Sequence, residues 1–122
     1  MNTQESVVSR LQKPVTLAFD SDSLETAVEM LSEATGVTIE IAGKDLEVQG
    51  ITKNQSFGLS ERDRSGHDVL LTILQKSEGK PGQLVYVFRN DGEYKKVVIT
   101  TKVSAQKRGE QIPDVFQKRQ AD

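Results

Sequence analysis

The sequence predicts an α+β fold with the element order β-α-β-β-α-β-β, its two helices packed between or against two small sheets. Three observations carry this. A strand-helix-strand pattern runs from Val15 to Ile41, and a looser copy follows from Phe57 to Phe88. Two apolar strands, Leu84 to Arg89 and Tyr94 to Thr100, then flank Asn90-Asp91-Gly92-Glu93. Half-apolar helices and strands must cover one another, and packing helices on sheet faces does so.

In the first unit, Val15, Leu17 and Phe19 recur at every second position, the period of a half-buried strand. Asp20-Ser21-Asp22-Ser23 interrupts it with side chains that favour turns and helix N-caps. With Asp22 as the N-cap, Glu25 completes a capping box. Leu24, Ala27, Val28, Leu31 and Ala34 then form one helical face, and Gly36 ends the helix. Val37, Ile39 and Ile41 alternate with Thr38 and Glu40 as the second strand.

The stretch from Ala42 to Gln55 reads as a loop with a short extended piece at Leu46 to Val48. Phe57 and Leu59 mark a short third strand. Glu61-Arg62-Asp63-Arg64 reads as a solvated charge cluster, and Ser65 as an N-cap with Asp68 three residues on. Val69, Leu70, Ile73 and Leu74 are the stripe of the second helix, with Leu71 at its margin. Gly79, Pro81 and Gly82 break it. The two helices superpose at a shift of 43, with Ala27 on Leu70, Leu31 on Leu74 and Gly36 on Gly79. His67 then stands where the first copy has Leu24. A type I′ turn at Asp91-Gly92 sets Phe88 opposite Lys95, Tyr86 opposite Val97 and Leu84 opposite Ile99. Val85, Val87 and Val98 fall on the other face, which is either covered or an apolar contact surface.

These boundaries give a flexible N-terminal segment at 1–13, an α+β domain at 14–103 and a polar, mostly flexible C-terminal tail at 104–122, with a helical turn near Ser104 to Arg108. At 122 residues the chain suits one core. The net charge of −2 argues against a dedicated nucleic-acid binder. Without cysteine there is no disulfide, thiolate metal site or cysteine nucleophile. No apolar run approaches the ~20 residues that span a bilayer. MNTQESVVSR shows no hydrophobic signal region, and Met1 is compatible with a longer parent chain upstream.

The chain resembles the short N-terminal (STN) domain shared by secretins and TonB-dependent receptors. The carriers are VTLAF, SLETAVEMLSEATGVTIEI, DVLLTIL and LVYVFRNDGEYKKVVITT, and the resemblance covers residues 14 to 101. SFGLSERDRSGHDVLLTIL departs from it, with a poor strand and His67 in place of a leucine. The resemblance implies two helices between two small sheets, a bacterial envelope protein with periplasmic exposure, and a role in TonB-dependent signalling or secretin-type assembly.

Candidate chemistry is sparse. Asp20 to Glu25 superficially resembles a calcium loop, but Glu25 and Leu31 stand where glycine and glutamate are needed, and helix capping accounts for the residues. His67 is the only histidine, so His67-Asp68 lacks further nitrogen or sulfur ligands for a metal. Gly58-Leu59-Ser60-Glu61-Arg62 lacks the last glycine of a nucleophile elbow. Gly79-Lys80-Pro81-Gly82 lacks the ending of a phosphate loop. We therefore expect no enzyme activity, cofactor, metal or small-molecule substrate.

The expected function is protein binding or domain–domain assembly by strand addition, with strand 94–100 as the free edge and Tyr94, Lys95, Lys96 and Val98 as the partner-binding residues. Such charges also guard edges against aggregation. The alternative is a small nucleic-acid-binding module, for which the tail from Lys102 supplies five basic against three acidic residues.

Overall fold

A computed structural model describes residues 7–51, 56–77, 82–91, 94–113 and 115–116. Its elements run α1 (Val7–Leu11), β1 (Pro14–Ser23), α2 (Leu24–Thr35), β2 (Ile39–Ile41), α3 (Gly43–Val48), β3 (Ser56–Ser65), α4 (Gly66–Ser77), β4 (Leu84–Asp91), β5 (Tyr94–Thr101) and α5 (Lys102–Arg108). The fold is α+β, and the predicted order of strands and two principal helices holds. Three short helices, α1, α3 and α5, are added to it.

β1 and β3 form an antiparallel two-stranded sheet, and the second sheet has the order β2-β5-β4. Within that second sheet β5 runs parallel to β2 and antiparallel to β4. α2 and α4 touch each other and lie between the sheets, α2 against β1 and β2, α4 against β3 and β4. The stripes expected from the helical period are the buried ones: Leu24, Ala27, Val28 and Leu31 on α2, and Val69, Leu70, Ile73 and Leu74 on α4. Thr35, not Ala34, closes the first stripe. Its hydroxyl donates to Leu31 O (2.8 Å) and accepts from Val37 N (3.3 Å), so a polar group is buried with its bonds satisfied.

Local boundaries moved for identifiable reasons. β1 continues to Ser23, which pairs with Ser56. Ser23, not Asp22, is therefore the N-cap, its side chain accepting from Thr26 N at 3.2 Å, which moves Glu25 from the third helical position to the second. Gly36 caps the C-terminus at φ 75°, as expected. Ser65 Oγ likewise accepts from Asp68 N at 3.0 Å. The charge cluster 61–64 is strand rather than loop, and Leu46 to Val48 is helical rather than extended. Gly79 lies outside the described residues.

β4 and β5 pair with Tyr86 opposite Ile99, Phe88 opposite Val97 and Asp91 opposite Tyr94. The predicted register was two residues off, because pairing runs on through Asp91 and leaves residues 92–93 as the link. These two residues lie outside the described ones. A shift of two preserves the side-chain faces. Leu84, Tyr86, Phe88, Val97 and Ile99 share the face towards α4, and Val85, Val87, Val98 and Thr100 share the back. The back is covered by α3 and α5, and all four of its residues named here are buried.

Neither terminal segment reads as free chain where it is described. Leu11 of α1 is buried, and Lys13 O accepts from Gly66 N at 2.9 Å. At the other end Ala105, Ile112 and Phe116 are buried. Within the segments expected to be flexible, 1–13 and 104–122, described residues of both ends pack on the rest of the chain.

Candidate functional site

The expected site was the edge of strand 94–100. β5 is not an edge: it is the middle strand of its sheet, with β2 on one side and β4 on the other. The hairpin pattern showed one neighbour, and the parallel partner at Ile39–Ile41 was not visible in it. Val98 is 2% exposed on the covered back face and meets no solvent-borne partner. Lys96 Nζ lies 3.0 Å from Glu40 Oε1 on the adjoining strand. Lys95 is exposed, its ammonium 5.7 Å from the Phe88 ring centroid. The Tyr94 side chain lies outside the described residues. Lys96 and Val98 thus lie on the back and Lys95 on the front of an interior strand, not together on an accessible rim.

The front face of the three-stranded sheet carries an aromatic cluster. Tyr86 meets His67, Phe88 and Phe116 edge-on, with ring centroids 5.7, 5.5 and 5.3 Å away. His67 Nε2 and Tyr86 Oη are 2.7 Å apart. Burial lowers the His67 pKa, opposed by the charge of Asp68, and raises that of Tyr86 to about 12. Both are neutral at pH 7, and the tautomer of the imidazole sets which of the two groups donates. His67 takes the place of Leu24 in the second copy because its ring has a hydroxyl to meet there.

On the back, Arg108 Nη2 donates to Asp45 Oδ2 at 2.8 Å, and Thr100 Oγ1 donates to the same oxygen at 2.6 Å. Glu110 accepts from Arg89 Nε at 2.7 Å and from Arg108 Nε at 3.1 Å. Hydrogen bonds from the two arginines hold the Asp45 and Glu110 carboxyls below their usual values. This network ties α3, α5 and β4 together. It also engages one of the basic residues on which a nucleic-acid reading relied; Lys118 and Arg119 lie outside the described residues.

The segment after α5 was missed from sequence. Glu110 pairs with Arg89 on the back of β4, and Phe116 packs on Tyr86 at the front, so the described residues of this segment lie on both sides of β4. Ile112, Val115 and Phe116 fall at i, i+3 and i+4, the one signal that these apolar residues act together. A depression of about 350 Å³ lies beside the segment, lined by Phe88, Lys95, Gln111 and Pro113.

The strands with one sheet neighbour are β1, β3, β2 and β4. β2 is three residues long, and β4 has described residues of the C-terminal segment on both its sides. β1 and β3 each run for ten residues. Glu61, Arg62, Asp63 and Arg64 guard β3, whereas Val15 to Phe19 of β1 is uncharged and turns Thr16 and Ala18 to solvent.

Among the described residues no group of three or more His, Cys, Asp or Glu side chains could hold a metal ion. No described helix is long and apolar enough to cross a membrane. No family model matches the chain, and no curated protein matches it.

Proposed function

We propose that the chain is a non-enzymatic protein-interaction or assembly module of a bacterial cell-envelope protein, exposed in the periplasm, and that it binds by adding a partner strand to β1. The observation that carries this is the two-stranded sheet. β1 is long, uncharged from Val15 to Phe19 and paired on one side only, so its second side can accept an extended segment through backbone hydrogen bonds. Two helices between a two-stranded and a three-stranded sheet is also the arrangement that the STN resemblance implied. The envelope part of the reading rests on that resemblance.

The test is a photo-crosslinking residue in place of Ala18, expressed from the natural gene in its host. A discrete adduct with one envelope protein is expected, absent when the same residue replaces Lys44 on α3. No adduct from any exposed position on β1 ends the strand-addition reading. Fractionation of the same cells tests location, and recovery in the cytosol removes the periplasmic assignment.

A further inference from the structure

β1 is irregular along its length, and the irregularities define what can add to its second side. Pro14 has no amide hydrogen to give. From there β1 pairs with β3 as Val15 with Arg64, Leu17 with Glu61, Ala18 with Ser60 and Phe19 with Leu59. The register shift between Val15 and Leu17 has its extra residue on β3, where Asp63 takes φ 54°, so β1 stays straight there. Beyond Phe19 the extra residue is on β1, with Asp20 and Ser21 set against Gly58. Gly58 lets this bulge close, since a Cβ there would lie 2.8 Å from Asp20 O. A bulge interrupts the ladder of hydrogen bonds. The straight part of the edge is therefore Val15 to Phe19.

Side chains alternate along this window. Val15 and Leu17 form the inner row and are each 7% exposed. Phe19 continues that row but is only half-buried, and so is Phe57, against which its ring stands edge-on at 5.5 Å. The described elements thus cover the first two inner side chains and leave the aromatic pair partly open. On the outer row Thr16 and Ala18 are exposed, and Asp20 follows them as an exposed carboxylate.

We propose that the segment added to β1 runs antiparallel to it and is recognised through two adjacent side chains. A cation sits on the outer row beside Asp20, and the next residue is a large apolar one on the inner row beside Phe19 and Phe57. The residues after them alternate, small or polar beside Ala18 and Thr16, apolar beside Leu17 and Val15. This rests on the strand-addition reading and names the chemistry of its partner. Aromatic pairs and opposite charges are the favourable cross-strand neighbours. An antiparallel partner repeats the pairing of β1 with β3, the more stable kind per residue.

The probe is the capped peptide Lys-Phe-Ser-Val-Thr-Val-Ser, titrated into the full chain while its amide NMR signals are followed. Shifts should centre on Val15 to Phe19. A peptide with Ser in place of Phe should bind about 10-fold more weakly, the ratio expected from losing one large buried apolar side chain. One with Glu in place of Lys should lose about threefold, as exposed charge pairs do. Against the variant Asp20→Lys, whose exposed position tolerates the change, the Glu peptide should bind more tightly than the Lys peptide. Equal binding of the Phe and Ser peptides at the edge overturns the proposal and leaves strand addition standing. A charge order that Asp20→Lys does not reverse overturns it as well. Shifts elsewhere, or none at millimolar peptide, also overturn it, and the Ala18 crosslink then decides separately whether strand addition survives.

Discussion

At the scale of single residues, His67 and Tyr86 depend on each other through one hydrogen bond inside an aromatic cluster. Tyr86→Phe keeps the ring contacts and leaves His67 Nε2 without its hydrogen-bond partner. We expect a loss of about 1 kcal/mol, the usual penalty for an orphaned, partly buried polar group, and a fall in Tm of ~4 °C. An unchanged Tm would mean that water replaces the hydroxyl at no cost. The same pair fixes a pH dependence. Burial lowers the folded His67 pKa below its ordinary 6.5, so just below pH 6.5 the unfolded chain binds more protons than the folded one. Stability therefore falls as pH falls from there, until the folded imidazole also titrates. Asp45 and Glu110 act lower. Their stabilisation is complete above the ordinary carboxylate values of 3.8 and 4.5 and is lost as pH drops through their folded pKa values. Urea midpoints at pH 7.5 and 5.5 should differ for the parent and coincide for His67→Gln, which cannot titrate. A slope that survives in the glutamine variant would place its source elsewhere.

At the scale of elements, the start of α4 is set by contact rather than by propensity. Gly66 is buried where α1, α2 and α4 converge, and a Cβ there would lie 2.6 Å from Thr35 Cγ2 and 3.2 Å from Leu11 O. Alanine in place of a helical glycine is ordinarily stabilising by ~1 kcal/mol. Here the clash reverses the sign, and Gly66→Ala should cost roughly 1–3 kcal/mol by chemical denaturation, the usual range for overpacking. A gain in stability would show that α1 gives way freely. Nothing in the sequence marks this position, because the constraint comes from residues 31 and 55 positions away. The helices themselves were legible for the opposite reason: Leu24 to Leu31 and Val69 to Leu74 repeat with the helical period, and burial follows it. α3 was not, since it buries a single apolar residue, Leu46, which makes no period, and α5 was legible only as a helical turn near Ser104 to Arg108. The pairing of β4 with β5 was legible as faces but not as register. The turn signal Asp-Gly competed with two further residues of pairing. Of the site, the candidate edge failed because the pattern of a hairpin says nothing about a third strand.

At the scale of the whole molecule, the position of β5 between β2 and β4 reverses what substitution there would do. A strand on the rim could take a proline or a charge and lose only its partner. Val98 instead sits in register with Glu40 on one side and Val87 on the other, under α3 and α5, at 2% exposure. Val98→Lys would bury an ammonium with no opposing charge made for it. The penalty exceeds ~3 kcal/mol, a large share of the ~5–15 kcal/mol that holds a domain together. The variant should show no cooperative thermal transition by circular dichroism. Ala18→Lys is the matched control on the other sheet. Its side chain points to solvent, so stability should change by no more than ~0.5 kcal/mol. A lysine on β1 also discourages strand addition, so the same folded variant should lose the crosslinked adduct expected when the photo-crosslinker stands at Thr16. A folded Val98→Lys chain would mean that the back of the three-stranded sheet opens easily, and that face would replace β1 as the place to look for a partner.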